Sequence, residues 1–194
     1  MMRLLRRFLA DPYDARTLRA LTVRLSISPL SGLACAVQRA WWARRGLRPS
    51  GPPWVGVAEL RQTPDGSLGR ALLEWAGRHG IDLEDTADLL ETVERLGRGE
   101  LVRLIVAHDL THALLDADTG RFGELRVIGA QLGAGSPDVL AWFWALMLPL
   151  MAARSGDPLD ALAAFAWGAV EGRQMPALAT LAVEDLTREE GGRR

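Results

Sequence analysis

The sequence predicts an all-α fold, a single-domain bundle of several helices. Hydrophobic residues recur at steps of three and four through most of the chain, which is the spacing of amphipathic helices. No convincing run of alternating apolar and polar residues indicates a strand. Proline and glycine stand at the borders of the periodic segments, where they start and stop helices. With 194 residues, 48% of them hydrophobic, the chain can bury a sizeable core.

Composition limits the classes of function. The formal net charge of −1 argues against a general nucleic-acid binder, so we expect no nucleic-acid partner. The single cysteine, Cys35, rules out an intramolecular disulfide and a thiolate zinc finger, and it fits a reducing compartment. We therefore expect a cytoplasmic protein.

Residues 1–53 are predicted to form an N-terminal arm, with two or three helices up to residue 46 and then a linker. Arginines alternate with aliphatic residues in these helices, a pattern typical of a solvated helix face or of one lying on anionic lipid. The run PSGPP at 49–53 marks the linker, because adjacent prolines cannot continue a helix. Residues 1–10 have arginines inside their apolar run, so no secretory signal is predicted. Peripheral contact with the cytoplasmic membrane is one expectation for this arm.

Residues 54–190 are predicted to form a helical metal-binding core, followed by a polar tail at 191–194. Glycine after His79 predicts a helix end, and the pairs Ser136-Pro137 and Asp157-Pro158 predict helix starts. The spacing predicts helices over 67–79, 84–97, 100–115, 137–154 and 158–175, with a last helix from Pro176.

The longest apolar stretch, 139–153, is predicted to be a buried helix. At about 15 residues, with Pro149 inside, it is shorter than the roughly 20 that a membrane-spanning helix needs. Trp142 and Trp144 lie in this stretch. They are predicted to pack in the core or, alternatively, to line an apolar groove.

The candidate site consists of His108, Asp109, His112 and Glu124. In a helix, His108 and His112 are one turn apart on one face, and that face is otherwise apolar. Glu124 can join them across the turn predicted at 116–120. Two imidazoles and nearby carboxylates can share a divalent cation, so we predict a metal site between two adjacent helices. The alternative is a pair of core histidines that hydrogen-bond the two carboxylates without metal.

Three kinds of metal chemistry fit such a pattern to different degrees. A zincin needs His-Glu-x-x-His, whereas Asp109 stands in the glutamate position here. A phosphohydrolase of the HD type needs a separate upstream histidine, for which His79 is the candidate. That alternative does not require His112 or Glu124, and it stays open.

The third kind of metal chemistry is suggested by a resemblance to a known protein family. The run HDLTHALLDADTGRFGE, residues 108–124, resembles the His-Asp-x2-His-x11-Glu signature of the ubiquinone (coenzyme Q) biosynthesis family that is numbered fourth in yeast nomenclature. Upstream, 65–82 is similar to the family's glycine-containing helix that ends in His-Gly. The likeness covers about residues 60–190.

Further matches and departures lie along the rest of the chain. Residues that resemble the family's late elements are Trp167, Gly168, Gly172, Arg173 and Glu184. Positions that depart from its pattern are Thr111, Val170, Glu171, Ala182 and Val183. The chain is thus similar to a divergent relative of the family.

The resemblance implies an all-helical protein whose divalent metal, zinc by expectation, is held by His108, Asp109, His112 and Glu124. It further implies peripheral membrane association, assembly with other quinone-biosynthesis proteins and action on a prenylated quinone precursor, by oxidative decarboxylation of the ring. If all four side chains closed a tetrahedron around zinc, the metal would be structural, and the protein a non-catalytic lipid-binding or scaffold protein. Exposed tryptophans would suit a homodimer.

Overall fold

The computed structural model describes residues 2–12, 15–49, 51–134, 139–176 and 178. Within these ranges the chain forms ten α-helices and no strand, so the all-α prediction is confirmed. The helices are α1 (Met2–Ala10), α2 (Ala15–Ser26), α3 (Pro29–Arg44), α4 (Val57–Leu60), α5 (Leu68–His79), α6 (Leu83–Arg95), α7 (Gly99–Leu115), α8 (Arg121–Gly133), α9 (Val139–Arg154) and α10 (Pro158–Gly172).

Local capping explains where several helices begin and end. The Ser67 hydroxyl accepts a hydrogen bond from the Arg70 amide at 3.1 Å at the start of α5, and Gly80 ends that helix at φ 65°. The Asp157 carboxylate accepts from the Asp160 amide at 3.2 Å at the start of α10. The predicted stop after His79 and start at Asp157 are confirmed.

Some predicted segments lie outside the described residues, and two helices had no predicted bounds. The pair Ser136-Pro137 lies outside the described residues, as do the polar tail and, except for Leu178, the last helix predicted from Pro176. The sequence had given no bounds for α4 or for α8, which carries Glu124. The division into arm, core and tail stays a prediction.

Two apolar clusters lie on either side of the candidate site. The first joins α3, α4, α5 and α7, and the second joins α8, α9 and α10. Large buried members of the first are Trp42, Leu60, Leu72, Trp75, Leu104 and Leu110. Buried members of the second are Leu125, Ile128, Met151, Ala152 and Ala161. Because α7 packs against α8, the seam between them is where the candidate site lies.

Helices α8 and α10 run parallel with their backbones in contact. A Cβ added to Gly129 or Gly133 of α8 would collide with the backbone of Phe165 or Ala169, and one added to Gly168 or Gly172 of α10 would collide with Arg126 or Ala130. Small residues four apart allow such an approach. The contact closes with a two-pronged ion pair in which the Arg126 guanidinium donates to Glu171 at 2.6 and 2.7 Å.

Helix α9 is only partly buried. Met151 and Ala152 are buried, but Trp142 is 55% exposed and Leu146 is 77% exposed. The prediction of a buried helix is therefore wrong for the face that carries Trp142 and Leu146. Trp144 is partly buried, and its ring packs against the Phe8 ring with the two centroids 5.8 Å apart. No helix in the described ranges is long and apolar enough to cross a membrane.

We predict that Gly168→Ala destabilises the protein, because the new Cβ meets the Arg126 carbonyl and the two helices must separate. The expected loss is about 1–3 kcal/mol of unfolding free energy, measured by urea denaturation. The matched control is Gly77→Ala in α5, where an added Cβ meets nothing within 4 Å. That variant should gain about 0.4–1 kcal/mol, because alanine restricts the unfolded chain. Equal effects of the two substitutions would contradict backbone contact between α8 and α10.

Candidate metal centre

Two histidines of α7 and one glutamate of α8 meet at the seam between these helices. His108 and His112 are one turn apart on α7, and Glu124 lies in the first turn of α8. One ligand atom from each residue can be chosen so that all three lie within 4.8 Å of one another, and this group can hold a metal ion. His112 is 1% exposed, whereas the His108 and Glu124 side chains are 19% and 18% exposed. The group thus lies in the seam, with one side chain buried and two partly exposed.

The distances resemble the edges of a tetrahedral coordination site. The two Nε2 atoms lie 3.2 Å apart, and the Glu124 carboxylate oxygens lie 3.3 Å from His108 Nε2 and 3.4 Å from His112 Nε2. Around zinc, bonds of about 2.0–2.1 Å in a tetrahedron separate neighbouring ligand atoms by about 3.3 Å. The three side chains would thus supply three ligands of a tetrahedral site.

Hydrogen bonds to the far side of each ring orient the Nε2 atoms inward. His112 Nδ1 lies 3.2 Å from the Ala117 carbonyl, and His108 Nδ1 lies 3.3 Å from Gln131 Oε1. Both oxygens can only accept, so each Nδ1 carries the proton and donates it. In a neutral ring this arrangement leaves a lone pair on Nε2, which is the form that binds a metal. Without a metal, a proton on His108 Nε2 bonds the Glu124 carboxylate instead.

The turn between α7 and α8 fixes His112 and Glu124 relative to each other. Asp116 adopts a left-handed conformation at φ 47°, and the Ala117 amide donates to the His112 carbonyl at 3.0 Å. At the start of α8, Gly123 lies so close to the Asp118 carbonyl that a Cβ there would collide with it. This tight approach brings Glu124 back toward the preceding helix. The predicted turn at 116–120 thus places Glu124 beside the two histidines, as the motif requires.

Trp75 of α5 supports the buried histidine. Its ring stacks on His112 with centroids 5.1 Å apart, and its indole N–H donates to the Ala117 carbonyl at 2.7 Å. The same carbonyl therefore holds both the tryptophan and the imidazole. Because Trp75 is 2% exposed, this contact excludes water from one side of the site.

The three groups perturb one another's protonation. Burial alone would lower the pKa of His108, but the hydrogen bond and the negative charge of Glu124 outweigh it and raise that pKa to about 9. Burial alone would raise the pKa of Glu124, but hydrogen bonds from His108 and His112 lower it to about 2. The carboxylate is thus ionised, and the group attracts a positive charge, either a proton or a metal cation.

Asp109, the fourth residue of the predicted ligand set, is not part of this group. It lies on α7 beside the two histidines and lines a mainly apolar cavity together with Trp54, Leu72 and Leu90. Burial raises the pKa of Asp109, while the charges of His108 and His112 act to lower it. Its role as a ligand stays a prediction.

His79 is also outside the group. Its ring contacts Trp75 at a centroid distance of 5.4 Å, and Trp75 in turn stacks on His112. The histidine required by the phosphohydrolase alternative is therefore not among the three converging side chains.

Sequence reasoning missed two supporting residues, Gln131 and Trp75. Gln131 is seven residues after Glu124 on α8, so the helical period places both on one face, a signal that was readable. The stacking of Trp75 on His112 depends on how α5 packs against α7, which no local pattern shows.

Comparison with known proteins gave no match to a family model, a curated protein or a solved structure. The structure by itself shows an all-helical protein with a His108-His112-Glu124 group that can hold a metal ion.

We predict that Gln131→Leu weakens zinc binding about 10- to 100-fold, because His108 loses the acceptor that holds its ring and tautomer. Gln131→Glu keeps an acceptor oxygen and should therefore bind zinc more tightly than Gln131→Leu does. Competition titration with a zinc chelator measures both affinities. Equal zinc affinity in wild type and Gln131→Leu would show that this hydrogen bond does not position His108.

We predict that the chelator-treated protein loses stability at alkaline pH. The pKa of His108 is about 9 in the folded protein and has its ordinary value of 6.5 in the unfolded chain. Protonation of His108 therefore contributes its full stabilisation to the folded state below about pH 6.5. This contribution disappears as pH rises through about 9. Melting temperatures from pH 6 to 10 should show the fall, and Glu124→Gln, which removes the negative charge, should largely abolish it. The same fall in both proteins would contradict the His108–Glu124 pairing.

Proposed function

We propose that this protein is a zinc metalloprotein of the ubiquinone-biosynthesis type, acting on a prenylated aromatic ring precursor. The observation that carries the proposal is the convergence of His108, His112 and Glu124 at 3.2–3.4 Å. These are three of the four positions of the His-Asp-x2-His-x11-Glu motif that the chain shares with the family it resembles. The all-helical fold is in line with the same resemblance.

The donor set supports zinc. Two imidazole nitrogens and one carboxylate oxygen are ligands that zinc prefers, and tetrahedral spacing fits it better than the six or more oxygens that calcium takes. Each imidazole also donates an orienting hydrogen bond, to the Ala117 carbonyl or to Gln131 Oε1, as metal-binding histidines in proteins usually do.

Three protein ligands with a fourth position free are typical of a catalytic zinc site, not of a closed structural one. The metal would act there as a Lewis acid that neutralises a substrate carboxylate or an oxyanion developing on the ring. The chain's own contribution is to hold His108 and Glu124 at the partly exposed side, where a substrate can arrive, and to exclude water with Trp75 on the buried side. Oxidative decarboxylation of the ring needs an oxidant as co-reactant.

The proposed partners follow from the same assignment. A prenylated precursor is mainly apolar, so its tail needs an apolar surface, and the exposed Trp142 on α9 is a candidate for part of one. Other proteins of quinone biosynthesis are proposed as partners on the resemblance alone.

Metal content is the first test. Purified wild-type protein should carry about one zinc per chain by elemental analysis, as a single three-ligand site requires. His112→Ala should lose that zinc, since it removes a ligand. The matched control is His79→Ala, which changes a histidine that contacts Trp75 but lies outside the group. Zinc retained in His112→Ala, or lost equally in His79→Ala, would refute the assigned site.

A second test separates catalysis from a structural metal. In cells that lack this protein, we expect a prenylated ring precursor that still bears its carboxylate to accumulate. Glu124→Ala should fail to restore quinone synthesis even where the variant is present at wild-type level. If Glu124→Ala only lowers the melting temperature while quinone synthesis proceeds normally, the site is structural and the scaffold alternative is correct. Phosphate release from nucleotides, abolished in His79→Ala, would instead favour the phosphohydrolase.

A further inference from the structure

Helix α10 is apolar on its outer side as well as on its inner side. Residues 161–170 of this helix contain no charged side chain. On the inner side, Gly168 and Gly172 contact the backbone of α8, so that side is used in the fold. A helix that is apolar all round is normally buried all round. The outer side of α10 therefore lacks the cover that its composition calls for.

Six side chains form this outer side, and all six are apolar and exposed. They follow one another at steps of three, one, three, one and three residues, which keeps them on one side of a helix. We call this set the α10 face, and its members are Leu159, Leu162, Ala163, Ala166, Trp167 and Val170. Leu159 is 78% exposed and Trp167 is 66% exposed. A contiguous apolar surface of this kind marks an interaction site.

The polar atom of Trp167 is already used within the chain. Its indole N–H is hydrogen-bonded to the Glu171 carboxylate, which Arg126 also holds at 2.6 Å. The Trp167 ring therefore offers only apolar surface to a partner. An open concavity lies beside this ring, lined by Arg126, Ala163, Ala164 and Trp167.

The sizes of the side chains along the α10 face make it complementary to itself. In an antiparallel pair of α10 helices, a two-fold axis between residues 164 and 165 brings large residues opposite large ones and small opposite small. The pairs, each made twice, are Leu159 with Val170, Leu162 with Trp167 and Ala163 with Ala166. The alanines lie nearest the axis, where small side chains allow two helices to approach closely. A two-fold interface requires one patch that fits itself, and the α10 face meets that requirement.

Charges at the ends of α10 favour the antiparallel arrangement. Asp157 and Asp160 are exposed at the N-terminal end, and Arg173 is exposed just after the C-terminal end. In an antiparallel pair, the acidic end of one helix lies near the basic end of the other, and the two helix dipoles are also opposed. A parallel pair would instead bring like charges together.

The α10 face is large enough for a reversible dimer. Its exposed side chains offer on the order of 500 Å² from each copy, given that a tryptophan alone can bury 150–250 Å². Two copies would then bury about 1,000 Å² in total, which is the lower limit for a specific interface. A contact of this size suits a dimer that dissociates on dilution.

We propose that the α10 face is the interface of a homodimer, in which α10 packs antiparallel against α10 of a second copy. Leu162 of each copy enters the concavity that Ala163 and Trp167 line on the other copy. The apolar outer side of the helix is thereby covered, as its inner side is covered by α8. This inference does not depend on the metal site or on the proposed reaction.

Analytical ultracentrifugation of the full chain tests the proposal. From about 1 µM to about 200 µM protein, we expect a shift from monomer to dimer, as a contact of modest area allows. Ala166→Glu should raise the dissociation constant at least tenfold, because it places two carboxylates near the axis. Its melting temperature at low concentration should stay near wild type, since Ala166 is exposed.

The matched control is Ala40→Glu, the same substitution at an exposed alanine of α3. Leu33 and Val37 of α3 are also exposed, so this control tests α3 as a competing interface. The variant should dimerise like the wild type.

Disulfide trapping tests the antiparallel register. Leu159→Cys and Val170→Cys face each other across the proposed interface, so oxidation of a mixture of the two variants should give a covalent mixed dimer. Either variant alone should not be trapped, because identical positions lie about 16 Å apart along the helices. Cys35 is buried and should not interfere.

Four results would overturn the proposal. The first is a monomer at every concentration, and the second is a dimer that Ala166→Glu leaves intact. The third is equal or greater weakening by Ala40→Glu, which would place the contact outside α10. The fourth is trapping of each cysteine variant with itself and not in the mixture, which would show a parallel pair.

Discussion

A carboxylate and two imidazole nitrogens face one another across the seam between α7 and α8, and this arrangement requires a positive charge. The Nδ1 protons of His108 and His112 are used in bonds to Gln131 and Ala117, so both Nε2 lone pairs point at Glu124 and at each other. With neutral rings these lone pairs would repel at 3.2–3.4 Å. A proton or a divalent cation relieves the repulsion, and a cation satisfies all three groups at once.

The rest of the fold serves to place one residue, Glu124, opposite the two histidines. At its start, α8 is pulled against the turn by the close approach of Gly123 to the Asp118 carbonyl. Along its length it is held by backbone contact with α10, where Gly129 and Gly168 remove the side chains that would separate the helices. A helix fixed in this way has little freedom to slide. A metal site with three ligands on two helices needs that rigidity, because small displacements change coordination geometry.

The molecule therefore combines two distinct chemical surfaces. The His-His-Glu group lies at the seam between α7 and α8, and the outward side of α10 is entirely apolar. The first attracts a cation, whereas the second is suited to apolar contact.

The sequence by itself determined the helical class and the core of the site, because both follow from local spacing. The i, i+4 interval of His108 and His112 is a property of any α-helix, and the capping residues Asp157 and Gly80 act within one turn. Only the tertiary structure decided which side chains meet across helices. It brought Glu124 but not Asp109 into the group, set Trp75 against His112 and turned one apolar side of α10 outward. The physical reason is that helical periodicity assigns a residue to a face, whereas the neighbour of that face depends on packing between distant segments.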